Sequence, residues 1–318
     1  MVSKRLKSDA RAHMKAHPGT SYQESLRAVS GGSAHPGAGH STSAPIDLLA
    51  AFGITEPDAE DLTAVWARNS HSTALRVPYA HAVDDDGDAT IDLIDSSHGG
   101  DGPHAALIGP TGCGKSTLLR SLVLALTLTY SPDKVSFVLV DVKGGVTFQG
   151  MDKLPHVVSV LSNFEDDHEA QQRLIDFITG EVHRRTALIA GQPDREDIHE
   201  YHLRHHRDPD RTPIPLPHMV IVFDELLPGL KASSQLRETL GHLGQVGRAL
   251  GFHILLSDQR LDRSVVRGLY EHLETVVRLQ NPHQLQALVA SESTSPLVDY
   301  VSRYSTSRVQ DALPLSGK

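Results

Sequence analysis

Cysteine is nearly absent: Cys113 is the one thiol in 318 residues. A single cysteine cannot close an intramolecular disulfide, so a disulfide framework is excluded and the reducing cytoplasm is the expected location. Long apolar runs are missing too. The best stretch, residues 122–128, already carries Thr127 and falls far short of the ~18 residues that span a bilayer. The N-terminus is basic but lacks the apolar core of a secretory signal. Positive charge is in deficit, with 30 Lys and Arg against 39 Asp and Glu, a net charge of −9. That balance is opposite to the one expected of a chain living on nucleic-acid phosphates. The first 40 residues run the other way, with Lys4, Arg5, Lys7, Arg11, Lys15 and Arg27 against Asp9 and Glu24, a local +4. Hydrophobic residues at 39% and charged residues at 22% exclude a collagen-like, wholly disordered or membrane-embedded chain. Histidine is abundant, at 20 residues, so net charge rises steeply below neutral pH.

Along the chain, residues 1–30 read as a short basic helical segment broken at Pro18-Gly19, its second helix opened by the capping box Ser21-x-x-Glu24. Residues 31–45, rich in Gly, Ser and Pro, read as a flexible linker that cannot bury a face. Everything from 46 to 318 is expected to be one unit: a leading segment (46–100), a core (101–290) and a divergent C-terminal segment (291–318). Residues 46–53 and 58–67 look helical, and 74–80 and 90–94 look like strands around an acidic DDDGD turn. Short apolar runs at 105–108, 135–140, 157–161, 219–223 and 252–256 then alternate with helix-length segments at 116–130, 167–190 and 233–250. This alternation predicts an α/β fold with a mostly parallel sheet covered by helices on both faces.

One octet carries the strongest chemical signal. Gly109, Pro110, Thr111, Gly112, Cys113, Gly114, Lys115 and Ser116 match the phosphate-binding pattern G-x-x-x-x-G-K-[ST], and Thr117 follows directly. An apolar strand feeds the loop and a helix leaves it, as the mechanism requires. The glycines let backbone N–H groups curl around phosphate oxygens, and the helix N-terminus favours the negative charge. Lys115 would neutralise the β- and γ-phosphates, and the Ser116 hydroxyl would ligate Mg²⁺. A second apolar run delivers Asp224 and Glu225. Asp224 suits the partner role at the Mg²⁺, and Glu225 suits the residue that orients or deprotonates an attacking water. No N/T-K-x-D tetrapeptide is present, which argues against guanine recognition even though Asp141-Val-Lys-Gly144 superficially suggests a GTPase turn. An ATPase with an acid-activated water is the reading these residues favour.

Beyond these motifs, the segments GPHAALIGPTGCGKSTLLRSLVLALTLTYSPDKVSFVLVDVKGG, LPHVVSVLSN, QRLIDFITGEVHRRTALI, VIVFDEL, GQVGRALGFHILLSDQRL and VRGLYEHL together resemble the FtsK/SpoIIIE superfamily, nearest to the ATPase domains of type VII secretion. The resemblance spans roughly residues 46–290. It implies a RecA-like P-loop NTPase working as a homo-oligomeric ring, a hexamer, with ATP at subunit boundaries. It assigns Gln259 the sensing of the γ-phosphate and Arg173 the role of arginine finger to a neighbouring subunit, with Arg184, Arg185 and Arg248 as rivals. The sequence also departs from the family pattern. Asp258 stands where Ser or Thr is usual, Pro228-Gly229 interrupts the helix expected after the Asp-Glu pair, the arginine positions near Arg278 do not align, and the similarity fades after Ala290.

Two smaller signals compete with bland readings. Cys113 beside a helix N-terminus favours thiolate, against a small residue tolerated at a variable loop position. His199, His202, His205 and His206 have spacings compatible with a metal site, but a structural His199 with exposed neighbours is favoured. The resulting expectation is an ATP-driven motor, cytoplasmic and recruited to the inner face of the membrane by a partner. Its cargo is a protein or a secretion-complex subunit on the acidic balance and the type VII motifs, or duplex DNA on the basic arm and the superfamily's DNA pumps. An ATP-gated scaffold with little turnover is the competing class.

Overall fold

The computed structural model describes residues 46–47, 52, 61–82, 88–144, 146–191, 197–207, 216–279, 285–289 and 295–304. Residues from Pro45 onward form one compact unit. The helices and the linker expected before it lie outside the described residues. The described elements begin β1 (Ile46–Asp47), α1 (Leu62–Asn69), β2 (Arg76–Ala82), β3 (Asp88–Asp92), β4 (His104–Ile108), α2 (Lys115–Thr129), β5 (Val135–Asp141), β6 (Val157–Ser162) and α3 (His168–Ala190). They continue α4 (Ile198–Arg207), β7 (His218–Asp224), α5 (Leu226–Ala232), α6 (Ser234–Leu250), β8 (Phe252–Asp258), α7 (Arg267–Tyr270), β9 (Thr275–Arg278), β10 (Leu285–Val289) and α8 (Ser295–Ser302).

Six strands form one sheet in the order β6-β5-β7-β8-β4-β9, every neighbouring pair parallel. A parallel sheet covered on both faces needs strands that are apolar on both sides, and β4, β5, β7 and β8 are buried at every position. The period of two then divides each strand between two cores. Phe137, Leu139, Val220, Val222 and Leu255 join α1 and α2 on one side. Val138, Val140, Ile221, Phe223, Ile254 and Leu256 join α3, α5 and α6 on the other. Thr127, the polar break in the longest apolar run, donates to the Leu124 carbonyl within α2 at 2.8 Å and so needs no outside partner. A smaller sheet, β1-β10-β2-β3, supports the same core.

The expected strands at 105–108, 135–140, 157–161, 219–223 and 252–256 and the three long helices are present within a residue or two. Other expectations are corrected. Residues 46–53 are expected to be helical, but Ile46–Asp47 is a strand paired in parallel with Leu288 and Val289, a partner at the far end of the chain that no local pattern announces; residues 48–51 and 53 lie outside the described residues. Pro228-Gly229 does not interrupt the helix after Asp224–Glu225: α5 runs through it. Pro228 is its third residue, where a helix N–H has no intrahelical acceptor to lose. Strands β9 and β10 and helices α4 and α8 complete elements that periodicity did not mark. Among the described residues no helix is long and apolar enough to cross a membrane.

Candidate functional site

Register brings the C-terminal ends of the central strands together, pairing Ile108 with Asp258 and Asp141 with Asp224. In open α/β sheets this edge is where ligands bind. From β4 the chain enters the glycine loop. Gly112 and Gly114 adopt φ of +79° and +93°, in the left-handed region that favours glycine. Gly109 is required for a different reason: a Cβ there would stand 2.6 Å from the Leu279 carbonyl oxygen and 2.7 Å from Cys113 Sγ. Helix α2 starts on Gly114, which has no side chain to cap the first-turn N–H groups. Those donors and the helix dipole are therefore left for an anion. The buried Lys115 ammonium donates to the Gly109 and Pro110 carbonyls at 2.8 and 2.9 Å. Thr111 and Thr117 are exposed along the same loop and first turn.

Opposite the loop stands Asp224, 6% exposed, with three hydroxyls turned on it. Ser116 and Thr147 donate to its Oδ2, each at 2.7 Å, and Ser257 donates to its Oδ1. These hard oxygen donors, with Ser116 and Asp224 in direct contact, suit a Mg²⁺ ion. Glu225 follows in the left-handed conformation, φ +59°, strain of the kind that gathers at functional sites. Its N–H donates to Ser257 Oγ at 3.2 Å, and its Oε2 lies 2.7 Å from Lys143 Nζ. Asp258 accepts from the Leu227 N–H at 2.8 Å and the Gln259 N–H at 2.7 Å, capping the start of α5 from the next strand. Burial raises its carboxyl above the usual range, opposed by these N–H bonds.

Two open cavities flank this edge. One, of about 590 Å³, is walled by Lys143, Glu165, Leu227, Lys231, Asp258 and Gln259. The other, of about 340 Å³, lies beside Gly109 and Pro110 and is lined by Gln259, Arg260, Arg263 and Arg278. Gln259 borders both. The structure thus brings Gly109, Lys115, Ser116, Asp224, Glu225 and Gln259 together. It does not bring Arg173 to them: that side chain is on α3, ion-paired with Glu169 at 2.9 Å, and borders neither cavity. Among its rivals, Arg184 pairs with Glu181 and Arg248 with Asp95. Arg185 is excluded as a finger, being fully buried and bonded to Glu181 and to the Leu250 and Pro217 carbonyls.

The histidine run forms helix α4. His199 stacks on His98 at 4.1 Å, burial holds its pKa below the usual value, and His202 Nε2 lies 2.6 Å from the Leu216 carbonyl oxygen. Among the described residues no group of three or more His, Cys, Asp or Glu could hold a metal. Sequence reading missed Thr147, Ser257 and Lys143. For Ser257 the available signal was a hydroxyl beside Asp258 at the buried end of an apolar-rich strand, where it has to find a polar partner.

A parallel sheet, a glycine loop feeding a helix, and an acid at the end of the strand two away define a P-loop nucleotide-binding protein of the RecA-like class. The sequence model of the FtsK/SpoIIIE family matches residues 65–263, and the chain belongs to that family. It is 36% identical over 249 residues to the ESX secretion system protein EccC of Thermomonospora curvata, a match covering 78% of this chain and 19% of that one. It is 35% identical over 222 residues to the ESX-4 secretion system protein EccC4 of Mycobacterium tuberculosis, covering 70% and 18%. The chain therefore spans about a fifth of the length of these relatives. Among solved structures, the cytoplasmic domain of the Thermomonospora curvata type VII secretion ATPase EccC aligns with a TM-score of 0.67 and 38% identity, over 73% of this chain and 26% of that one.

Proposed function

We propose that residues 46–318 are an ATP-hydrolysing motor domain that works in a type VII-like secretion machine and moves protein. The observation that carries this reading is the direct contact of Ser116 with Asp224 at 2.7 Å, with Glu225 next in the chain at the same edge. The loop N–H groups and Lys115 bind the phosphates of ATP, and Ser116 and Asp224 hold Mg²⁺. The bound ion supplies positive charge that offsets the charge developing on the phosphate oxygens. Glu225 orients the attacking water and accepts its proton, and Gln259, between the two cavities, senses the γ-phosphate. Arg173, on the outer surface of α3, acts on the site of a neighbouring subunit in a ring, a hexamer on the family pattern. An arginine supplied in trans is worth about 10³–10⁵ in rate, so activity depends on assembly. The acidic overall charge and the identity with EccC proteins favour protein as cargo. The domain acts in the cytoplasm, brought to the membrane by a partner.

The test is ATP hydrolysis across a protein-concentration series, with and without long duplex DNA, for the native chain and Glu225→Gln. The expected result is a rate per subunit that climbs with concentration, ignores DNA, and falls at least ~100-fold in the variant, which retains bound ATP in larger oligomers. ATP binding without turnover at any concentration would make the domain a nucleotide-gated scaffold. Stimulation by DNA would make it a DNA translocase.

A further inference from the structure

We propose that Lys143 is a positioning residue for Glu225, and that the turn after β5 organises both acids of the Asp224–Glu225 pair. The inference rests on the ATPase reading above. The turn carries Lys143, Gly144 and Thr147, in a segment whose sequence alone suggested only a passing likeness to another nucleotide motif. It is tied down by Asp141, buried at the end of β5 and aligned with Asp224 on the neighbouring strand. Asp141 Oδ1 accepts from the Gly144 N–H and Oδ2 from the Thr147 N–H, both at 2.9 Å. Built on that anchor, the turn reaches both acids. The Thr147 hydroxyl donates to the Asp224 oxygen that Ser116 also engages, and the Lys143 ammonium sits 2.7 Å from Glu225 Oε2.

Glu225 needs such a partner. Its backbone is held by the Ser257 hydroxyl, but its side chain retains 24% exposure, and a glutamate left unanchored loses much of its orientation to rotamer freedom. With Lys143 on Oε2, the other oxygen is left to face a water. The ammonium is well suited to stay in place: the hydrogen bond to Glu225, then the nearby Glu225, Glu165 and Asp258 charges, raise its pKa above the ordinary lysine value. A partly exposed ion pair adds little to stability, so a structural role and a positioning role predict different results.

The experiment compares the native chain with Lys143→Met, Lys143→Arg, Glu225→Gln and the Lys143→Met/Glu225→Gln double variant. It measures melting temperature, affinity for radiolabelled ATP with Mg²⁺, and kcat at a concentration where the rate per subunit has levelled. Misorienting a reacting group costs on the order of 10²-fold. Lys143→Met is therefore expected to lower kcat by roughly 30- to 100-fold while changing ATP affinity less than about 3-fold. Its melting temperature should stay within ~2 °C of the native value. Lys143→Arg should recover much of the rate, and the double variant should be no slower than Glu225→Gln. Native kcat in Lys143→Met, additive losses in the double variant, or a loss of affinity as large as the loss of rate would each overturn the inference. A native chain with no turnover beyond that of Glu225→Gln would instead overturn the ATPase reading, and this inference with it.

Discussion

Gly109 shows at the scale of one residue how a sequence pattern becomes a physical requirement. The motif demands glycine at both ends of the loop, for unlike reasons. Gly114 needs its positive φ with open space around it, whereas Gly109 needs to be small. Gly109→Ala drives a methyl into the Leu279 carbonyl, which is backbone and cannot swing aside, so destabilisation of about 1–3 kcal/mol is expected. A thermal melt should show that loss, and the ATP-induced rise in melting temperature should vanish with it. That outcome was half legible, since the octet names Gly109 but not Leu279. Thr147 and Ser257 were not legible. Their role depends on a hydroxyl meeting Asp224 across the fold, and no spacing rule links the turn after β5 or the end of β8 to the end of β7.

Among elements, α3 illustrates a charge that periodicity misplaces. Arg185 looked like one of several cations on a helix and a rival finger. It is instead fully buried, with Glu181 Oε1 at 2.8 Å and the Phe252 ring 4.7 Å away, tying α3 to the starts of β7 and β8. Burial opposes ionisation of Glu181, but the Arg184 hydrogen bond and the Arg185 charge hold its carboxyl below the usual range. Arg185→Leu leaves Glu181 to Arg184 alone and strips the Leu250 and Pro217 carbonyls of their donor. A loss of about 1–3 kcal/mol is expected, read as a lower midpoint in urea with an unchanged m-value. Arg185→Lys should not rescue it, because an ammonium cannot span the same fork of acceptors. The long helices and core strands were readable from their own periodicity. Strands β9 and β10 were not, being short and defined by the neighbours they pair with.

Across the whole molecule, histidine abundance has a consequence opposite to mere surface charging. His104, His218 and His253 gather at the N-terminal edge of the sheet, away from the nucleotide edge, with His218 Nδ1 and His253 Nε2 2.9 Å apart. Burial lowers His104 and His156 to about 4 and His253 to about 3, and pushes His218 well below the ordinary value. These side chains are neutral when folded and titrate near 6.5 when unfolded. The unfolded chain therefore binds more protons below that pH, and stability is fully present above it and lost as pH falls toward 4. Each such histidine contributes a slope of about 1.4 kcal/mol per pH unit in that window. A melting temperature lower by roughly 10 °C at pH 5.5 than at pH 7.5 is expected. Equal values would mean that the histidines are solvated or already paired as cations.

By itself the sequence determined the class. A phosphate loop, an Asp-Glu pair at a strand end and alternating apolar runs are local patterns, and local hydrogen bonding and amphipathicity are enough to make them readable. Only the tertiary structure decided which hydroxyls meet Asp224, which cation holds Glu225, that Arg185 is buried, and that Ile46 is a strand. Each of these is a contact between residues distant in the chain. Such contacts are set by sheet register and strand order, and those emerge only when the whole core is packed.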